Sequence, residues 1–414
     1  MCPADRLPSV ECMTGDAVLT LARLEFALTA SLHFAVVATT LGLAPVTAAL
    51  QTAVWRRTRL ARRAGPGVSP TLVEARDRVI RLYLINYGAG IITGIVMELQ
   101  MGLNWTGHAS GLYDPIATAL AVETLGAFFL ESTLLGLFLL TPGRVGEGWR
   151  AVMLWCVAAT AWFSAWVVVA ANAFLHHPVG VDGMGTAGVR FTDFWVVLTQ
   201  PAAMVPLMHI LGAAGLVAGT WLMAAGARLG LREPRQAGPL VGLLLRIGVW
   251  LVAAASIWTI GTGLAQFAVV RDQAFTRNGP EGIALALMML NGLIFAGLAW
   301  VLLVPMLLSR ALARARWVLS LLLIAPWFPL STTILGWVYR EEARQPWFIV
   351  GQVTVAEALS ATSVPALVAT STAFVLLGTA VVVFAWRLMV RELGRPLPWA
   401  RVPEPAVQQG AWPL

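Results

Sequence analysis

His33 is the one ionisable residue between Phe26 and Ala44, in the run FALTASLHFAVVATTLGLA. The surrounding stretch Leu21 to Ala44 is long enough to cross a bilayer core, which takes about 20 apolar residues. An imidazole at that depth either bonds to a neighbouring helix or serves as a ligand, and haem iron is the ligand-seeking centre it suits. His209 repeats the pattern in QPAAMVPLMHILGAAG, and Met288 and Met289 follow in ALALMMLNG. Imidazole and thioether together suit a low-spin haem iron, although a methionine in an apolar helix is usually core. Two acids, Glu123 and Glu131, share the apolar run ATALAVETLGAFFLESTLLGLFLL. On a regular α-helix they stand about 12 Å apart along the axis and some 80° around it. Carboxylates in hydrocarbon mark an ion, proton or cofactor route, or else form a protonated, hydrogen-bonded pair. Ser164, Trp166 and Asn172 line the next apolar run, which ends at His176 and His177. Adjacent histidines diverge on regular backbone, so these two read as interfacial. Glu98, beside Gln100, lies near the end of its run, where solvation competes with an intramembrane role. Further on, GWVYREEARQPWFIVGQV packs Arg340, Glu341, Glu342 and Arg344 between Trp337 and Trp347. By itself that reads as a solvated charged loop with interfacial aromatics.

The elements that carry these residues are membrane spans. The 414 residues are 58% hydrophobic and 12% charged, with mean hydropathy +0.76, whereas ordinary soluble domains carry about 25% charged residues. Nine apolar spans are expected, at approximately 18–52, 82–102, 117–141, 151–174, 203–227, 238–268, 282–308, 317–339 and 364–388. The fold class is therefore all-α and polytopic. All 28 basic residues are arginine, and the net charge is +7. Twenty arginines fall on one side of the spans and six on the other; Arg23 and Arg246 lie within spans. By the positive-inside rule the N-terminus is outside and the C-terminus cytoplasmic, which requires an odd number of spans. The expected organisation is an outer segment 1–17, one membrane domain 18–390 and a Pro-rich cytoplasmic tail 391–414. No soluble basic face is available for nucleic acid. Cys2, Cys12 and Cys156 have no metal-type spacing, and a disulfide framework is not expected. No cleavable signal peptide, internal repeat, Walker motif, Rossmann fingerprint or nucleophile elbow is evident.

Several blocks together resemble one family. ARLEFALTASLHF…TTLGLA, TGIVMELQMGLNW, LAVETLGAFFLEST, the Ser164–Asn172 spacing and ARQPW are similar to subunit I of the cytochrome bd-type terminal oxidases, across residues 18 to 390. The resemblance implies a membrane oxidase of the bacterial or archaeal plasma membrane that reduces dioxygen to water. His33 matches an axial ligand of a high-spin haem, and Glu123 the acid beside or on that iron. Glu341 matches a ligand of the second high-spin haem, Trp337 a tryptophan near the haems, and Arg344 a partner of haem propionates, a task suited to its fork. His209 and Met288 match the ligands of the low-spin b haem. Glu131, Ser164 and Asn172 match a proton path from the cytoplasm. The implied cofactors are a low-spin haem b, a high-spin haem b, and haem d or a third haem b. The implied partners are membrane lipid, a second bd-type membrane subunit, dioxygen, and quinol or cytochrome c as electron donor.

Two departures from that family stand out. Its long outer loop between spans 6 and 7, which contributes to quinol oxidation, is here the short connection VVRDQAFTRNGPEG. Ala286 also replaces an arginine two residues before the methionine ligand. The match is to a divergent, short-loop branch, and weak or absent quinol oxidation through the usual site is expected. Arg271, Asp272, Gln273, Arg277 and Glu281 offer little surface to enclose a headgroup; the two arginines dock an acidic electron carrier or hold lipid phosphates. The alternatives are a bd-like oxidase with a non-quinol donor, a haem subunit that only relays electrons, and a proton-coupled transporter. The last is disfavoured because His33, His209, Glu123 and Glu341 all fall on haem-ligand positions.

Overall fold

Uninterrupted apolar sequence in a solvent that offers no hydrogen bonds must satisfy its backbone internally, and helices do so. The computed structural model describes residues 10–64, 69–105, 114–183, 190–233, 237–269, 280–361 and 363–398. Among them, nine helices are long and apolar enough to cross a membrane. They are α1 (Val10–Ala64), α2 (Pro70–Asn104), α3 (Ile116–Leu140), α4 (Glu147–His176), α5 (Pro201–Arg232), α6 (Gly238–Val269), α7 (Gly282–Leu308), α8 (Arg316–Ala343) and α9 (Val364–Leu393). All nine expected spans are present. Several helices outrun them: α1 starts at Val10, within the expected outer segment, and α2 starts at Pro70, twelve residues before the expected span.

Helix α1 is the hub. It packs against α2, α4, α5, α8 and α9, and its 55 residues reach about 80 Å at 1.5 Å per residue. Helices α5 and α6 pack along each other's length. The core contains Leu43, Tyr83, Leu154, Trp221, Met223 and Leu244. Lipid is as apolar as leucine, so close backbone approach and dispersion hold such helices together. Gly42 of α1 shows how close: a Cβ there would stand 2.0 Å from the carbonyl oxygen of Ala214 on α5. Between α5 and α6, a Cβ on Gly248 would lie 2.7 Å from the Gly219 carbonyl oxygen.

Two helices are irregular. Val122–Phe128 within α3 and Leu298–Leu303 within α7 are π-helical. Glu123 therefore sits on a widened turn, and the 80° offset to Glu131 expected of a regular helix does not apply.

The arginine-rich connection after α1 does more than set topology. Arg78 is fully buried in α2 and donates to Glu74 at 2.7 Å and to the carbonyls of Glu392 and Arg395, each at 2.9 Å. It thereby caps the carbonyl-rich end of α9. Two short hairpins decorate the connections, Val181–Asp182 with Arg190–Phe191 and Trp347–Ile349 with Val353–Thr354. The second leads into the short helix Val355–Ala358, closed by a Thr354/Glu357 capping box. Arg271, Asp272, Gln273 and Arg277, the side chain of Glu281, and residues 399–414 lie outside the described residues.

Gly42→Ala is expected to force α1 and α5 apart and cost at least the ~1–3 kcal/mol of an overpacked core. A lowered thermal transition of the detergent-solubilised protein is the readout, and an unchanged transition would contradict the close contact.

Candidate functional site

Thr93 of α2 meets the imidazole of His33. The Nδ1 atom of His33 is 3.0 Å from the Thr93 hydroxyl, and that hydroxyl sits 2.9 Å from the carbonyl of Ala89. A hydroxyl has one proton; it goes to the carbonyl, so Thr93 accepts from Nδ1–H. The imidazole lone pair is left on Nε2. His209 on α5 repeats the arrangement, donating from Nδ1 to the carbonyl of Thr259 on α6 at 2.9 Å. A backbone carbonyl only accepts, so Nε2 is again the free lone pair. Gly263, one turn beyond Thr259, makes room for the ring: a Cβ there would lie 3.0 Å from His209 Cε1.

Met288 is half-buried, its sulfur against α8, where a Cβ on Gly336 would come within 2.8 Å of Sδ. Met289 points outward and is 37% exposed. The register thus favours Met288 as the inward sulfur. The neighbour of Gly336, Trp337, packs on Phe34 of α1 with ring centroids 5.3 Å apart, directly beside His33 in sequence. One helix therefore touches both the Met288 sulfur and the turn of α1 that carries His33.

The segment that reads as a solvated charged loop is instead folded inward. Glu341 is 9% exposed and Arg344 is 5% exposed. Glu341 Oε1 accepts from Asn172 Nδ2 of α4 at 2.8 Å, and Oε2 pairs with Arg344. Arg344 also donates to the carbonyl of Phe348, and Arg340 donates to Asn172 Oδ1. Glu342 pairs with Arg23 of α1 at 3.0 Å. Phe348 stacks on Trp105, at the end of α2, with ring centroids 6.2 Å apart. Two donors, Trp337 Nε1 and Arg344 Nε, are buried without a hydrogen-bond partner among the described residues. The Arg344 fork, expected to partner haem propionates, is thus mostly spent on Glu341 and the Phe348 carbonyl, with Nε left over.

Glu123 Oε1 accepts from Ser164 of α4 at 3.0 Å, and Oε2 lies 3.2 Å from Thr124 Oγ1. Thr124 also donates to Glu98 of α2. Glu98 is therefore joined to the Glu123 cluster and follows Thr93 by five residues, about 7.5 Å along α2. That helix carries both the partner of His33 and a partner of the Glu123 cluster.

Glu131 stands apart. It is 6% exposed and accepts from Tyr83 at 2.6 Å. Tyr87 bonds Ser132 at 2.7 Å and stacks on Tyr83 at 5.8 Å. The three residues expected along one proton path hence have three separate partners: Ser164 holds Glu123, Asn172 holds Glu341, and Glu131 holds Tyr83. Among the described residues no direct hydrogen bond joins the three. His176, expected at the interface, is 5% exposed.

Thr93, Thr259, Tyr83 and Tyr87 escape the sequence reading, and Arg340 enters it only as part of a solvated charged loop. A signal existed for the tyrosines, whose four-residue spacing puts both on one helical face. Threonine is too common in membrane helices to stand out.

Comparison with known proteins fits this geometry. Residues 21–275 and 282–396 match the family described as cytochrome bd terminal oxidase subunit I. Cytochrome bd ubiquinol oxidase subunit 1 of Bacillus subtilis is 24% identical over 421 residues, covering 83% of this chain and 86% of that protein. Cytochrome bd-II ubiquinol oxidase subunit 1 of Escherichia coli is 32% identical over 212 residues, 51% of this chain and 39% of that protein. The bd oxidase structure from Geobacillus thermodenitrificans superposes with a TM-score of 0.78 at 18% identity, covering 93% of this chain and 99% of that one. The chain belongs to the cytochrome bd terminal oxidase subunit I family and is a multi-pass membrane subunit of a respiratory oxidase.

Proposed function

We propose that His209 and Met288 hold a low-spin b haem, and that His33, Glu123 and Glu341 hold the two haems of a dioxygen-reducing site, one of them b and the other b or d. The observation that carries this reading is the state of the two imidazoles. Each commits Nδ1–H to a neighbouring helix, at 3.0 Å for His33 and 2.9 Å for His209, and keeps Nε2 for a ligand. Metal-bound histidines carry this second bond as a rule, because it fixes the ring and its tautomer. The buried N–H groups of Trp337 and Arg344 suit the carboxylates that a haem brings with it.

Bound haem supplies the electron transfer and the reduction of dioxygen to water. The chain's own residues place the ligands, exclude water and deliver protons. Ser164 holds the Glu123 carboxyl in place, with Thr124 and Glu98 beside it. Glu131, on Tyr83, takes protons from the cytoplasmic side and passes them towards Glu123. The arginine distribution supports a cytoplasmic C-terminus and an outer N-terminus, which puts Glu341 and Arg344 near the outer face. The residue limits 18–390 for the membrane domain and 391–414 for the tail fit this orientation. A second membrane subunit completes the complex. The donor is quinol or a cytochrome c; the short connection between α6 and α7 favours the latter.

His209→Ala is expected to abolish the sharp reduced band of the low-spin haem and leave the high-spin bands. Met288→Leu keeps the volume and removes the sulfur, so it is expected to change that band, with Met289→Leu silent. A larger effect from Met289→Leu would move the ligand by one residue.

Oxygen uptake by the purified complex with short-chain quinol is expected to be slow and insensitive to replacing Asp272 and Glu281. Uptake with reduced cytochrome c is expected to be faster, and to fall with salt as surface charge is screened. Fast quinol turnover that is lost in the Asp272 and Glu281 variants would place a quinol site in the short connection.

A further inference from the structure

We propose that Arg340 is a positioning residue for Glu341, acting through Asn172, and that Asn172 belongs to this link and not to the proton route. The inference rests on the assignment of Glu341 to a haem iron made above. Asn172 comes from α4, Arg340 and Glu341 from α8. A carboxamide has one end that only accepts and one that only donates, and a guanidinium only donates. Arg340 donates to Asn172 Oδ1, which dictates how the amide faces. Nδ2 is then turned to Glu341 Oε1, at 2.8 Å. Without Arg340 the amide is free to flip, setting its oxygen against the carboxylate. The other oxygen of Glu341 is held by Arg344, which is anchored on the Phe348 carbonyl. The nearest alternative carboxylate on α8, Glu342, is taken up by Arg23 at 3.0 Å.

Both carboxylate oxygens of Glu341 are thus pinned, one from α4 and one from the end of its own helix. A carboxamide neither gives nor takes a proton near neutral pH, so Asn172 is suited to hold and unsuited to relay. Partners that orient a metal ligand typically change metal affinity or activity about 10–100-fold when removed.

The test uses the purified complex carrying Arg340→Gln, Arg340→Lys, Asn172→Leu, the double variant Arg340→Gln/Asn172→Leu, and Glu341→Gln. Haem content, the reduced-minus-oxidised spectrum with its potentiometric titration, and the solvent isotope effect on turnover are measured together. The low-spin band in the same sample reports that each variant is folded. Arg340→Gln and Asn172→Leu are each expected to shift the potential or lower the occupancy of a high-spin haem, about tenfold in the underlying equilibrium, with the isotope effect unchanged. The double variant is expected to be no worse than Asn172→Leu alone, because both act through one amide. Arg340→Lys keeps a donor and is expected to recover part of the effect. Unchanged high-spin bands with an increased isotope effect would return Asn172 to the proton route and overturn the proposal, and so would additive losses in the double variant. If Glu341→Gln alters the high-spin bands and Arg340→Gln does not, only this inference falls. If Glu341→Gln changes nothing, the assignment of Glu341 to iron falls and takes the inference with it.

Discussion

The bond from His33 Nδ1 to the Thr93 hydroxyl decides which nitrogen of a buried imidazole is left for chemistry. Inside a bilayer there is no water to take that proton, so a second helix has to. The same constraint recurs at His209 with Thr259, at Glu123 with Ser164, at Glu341 with Asn172 and at Glu131 with Tyr83. Every one of these bonds crosses from one helix to another. Polar side chains that read as chemistry when taken singly are therefore also the joints of the fold. A change at any of them moves a helix as well as a side chain.

Those joints need helices close enough to reach one another, and glycine supplies the approach. Gly42 lets α1 meet the backbone of α5, and Gly219 and Gly248 bring α5 and α6 together. Gly263 lets the His209 ring sit on α6 beside the Thr259 carbonyl it bonds, and Gly336 lets the Met288 sulfur reach α8. A methyl group at these places would lengthen the bonds that fix the tautomer or the sulfur. Helix packing and the placement of His209 and Met288 are thus set by the same few contacts.

Much of this was legible in the sequence. Hydropathy located all nine spans because water-to-lipid transfer acts on whole segments and tolerates errors of a few residues. His33, His209 and Glu131 stood out because ionisable groups are rare in hydrocarbon. Their partners did not, since a threonine hydroxyl or a backbone carbonyl carries no sequence signal of its own. Regular helix arithmetic failed at Glu123, where a π-turn changes the angular step. The charged run around Glu341 misled for a different reason: four clustered charges look solvated until each is seen to have a partner on another helix or on its own turn. Arg78 misled likewise, counted as a topology marker while it caps α9 from a fully buried position.

Helix α8 joins these threads. Gly336 faces the Met288 sulfur, Trp337 packs beside His33 on the ring of Phe34, and Arg340 and Glu341 engage α4 through Asn172. All four lie within six consecutive residues, less than two helical turns. Their relative positions are consequently fixed by covalent geometry and backbone hydrogen bonds, and do not depend on how separate helices settle against one another. Placing these contacts along one short stretch of helix gives them a constant separation. The ion pair of Glu342 with Arg23, and the inward fold of Arg344 onto Phe348, then tie the end of that stretch to α1 and to the Trp347–Ile349 hairpin. The charges of this segment therefore act as fastenings for the helix on which both regions depend.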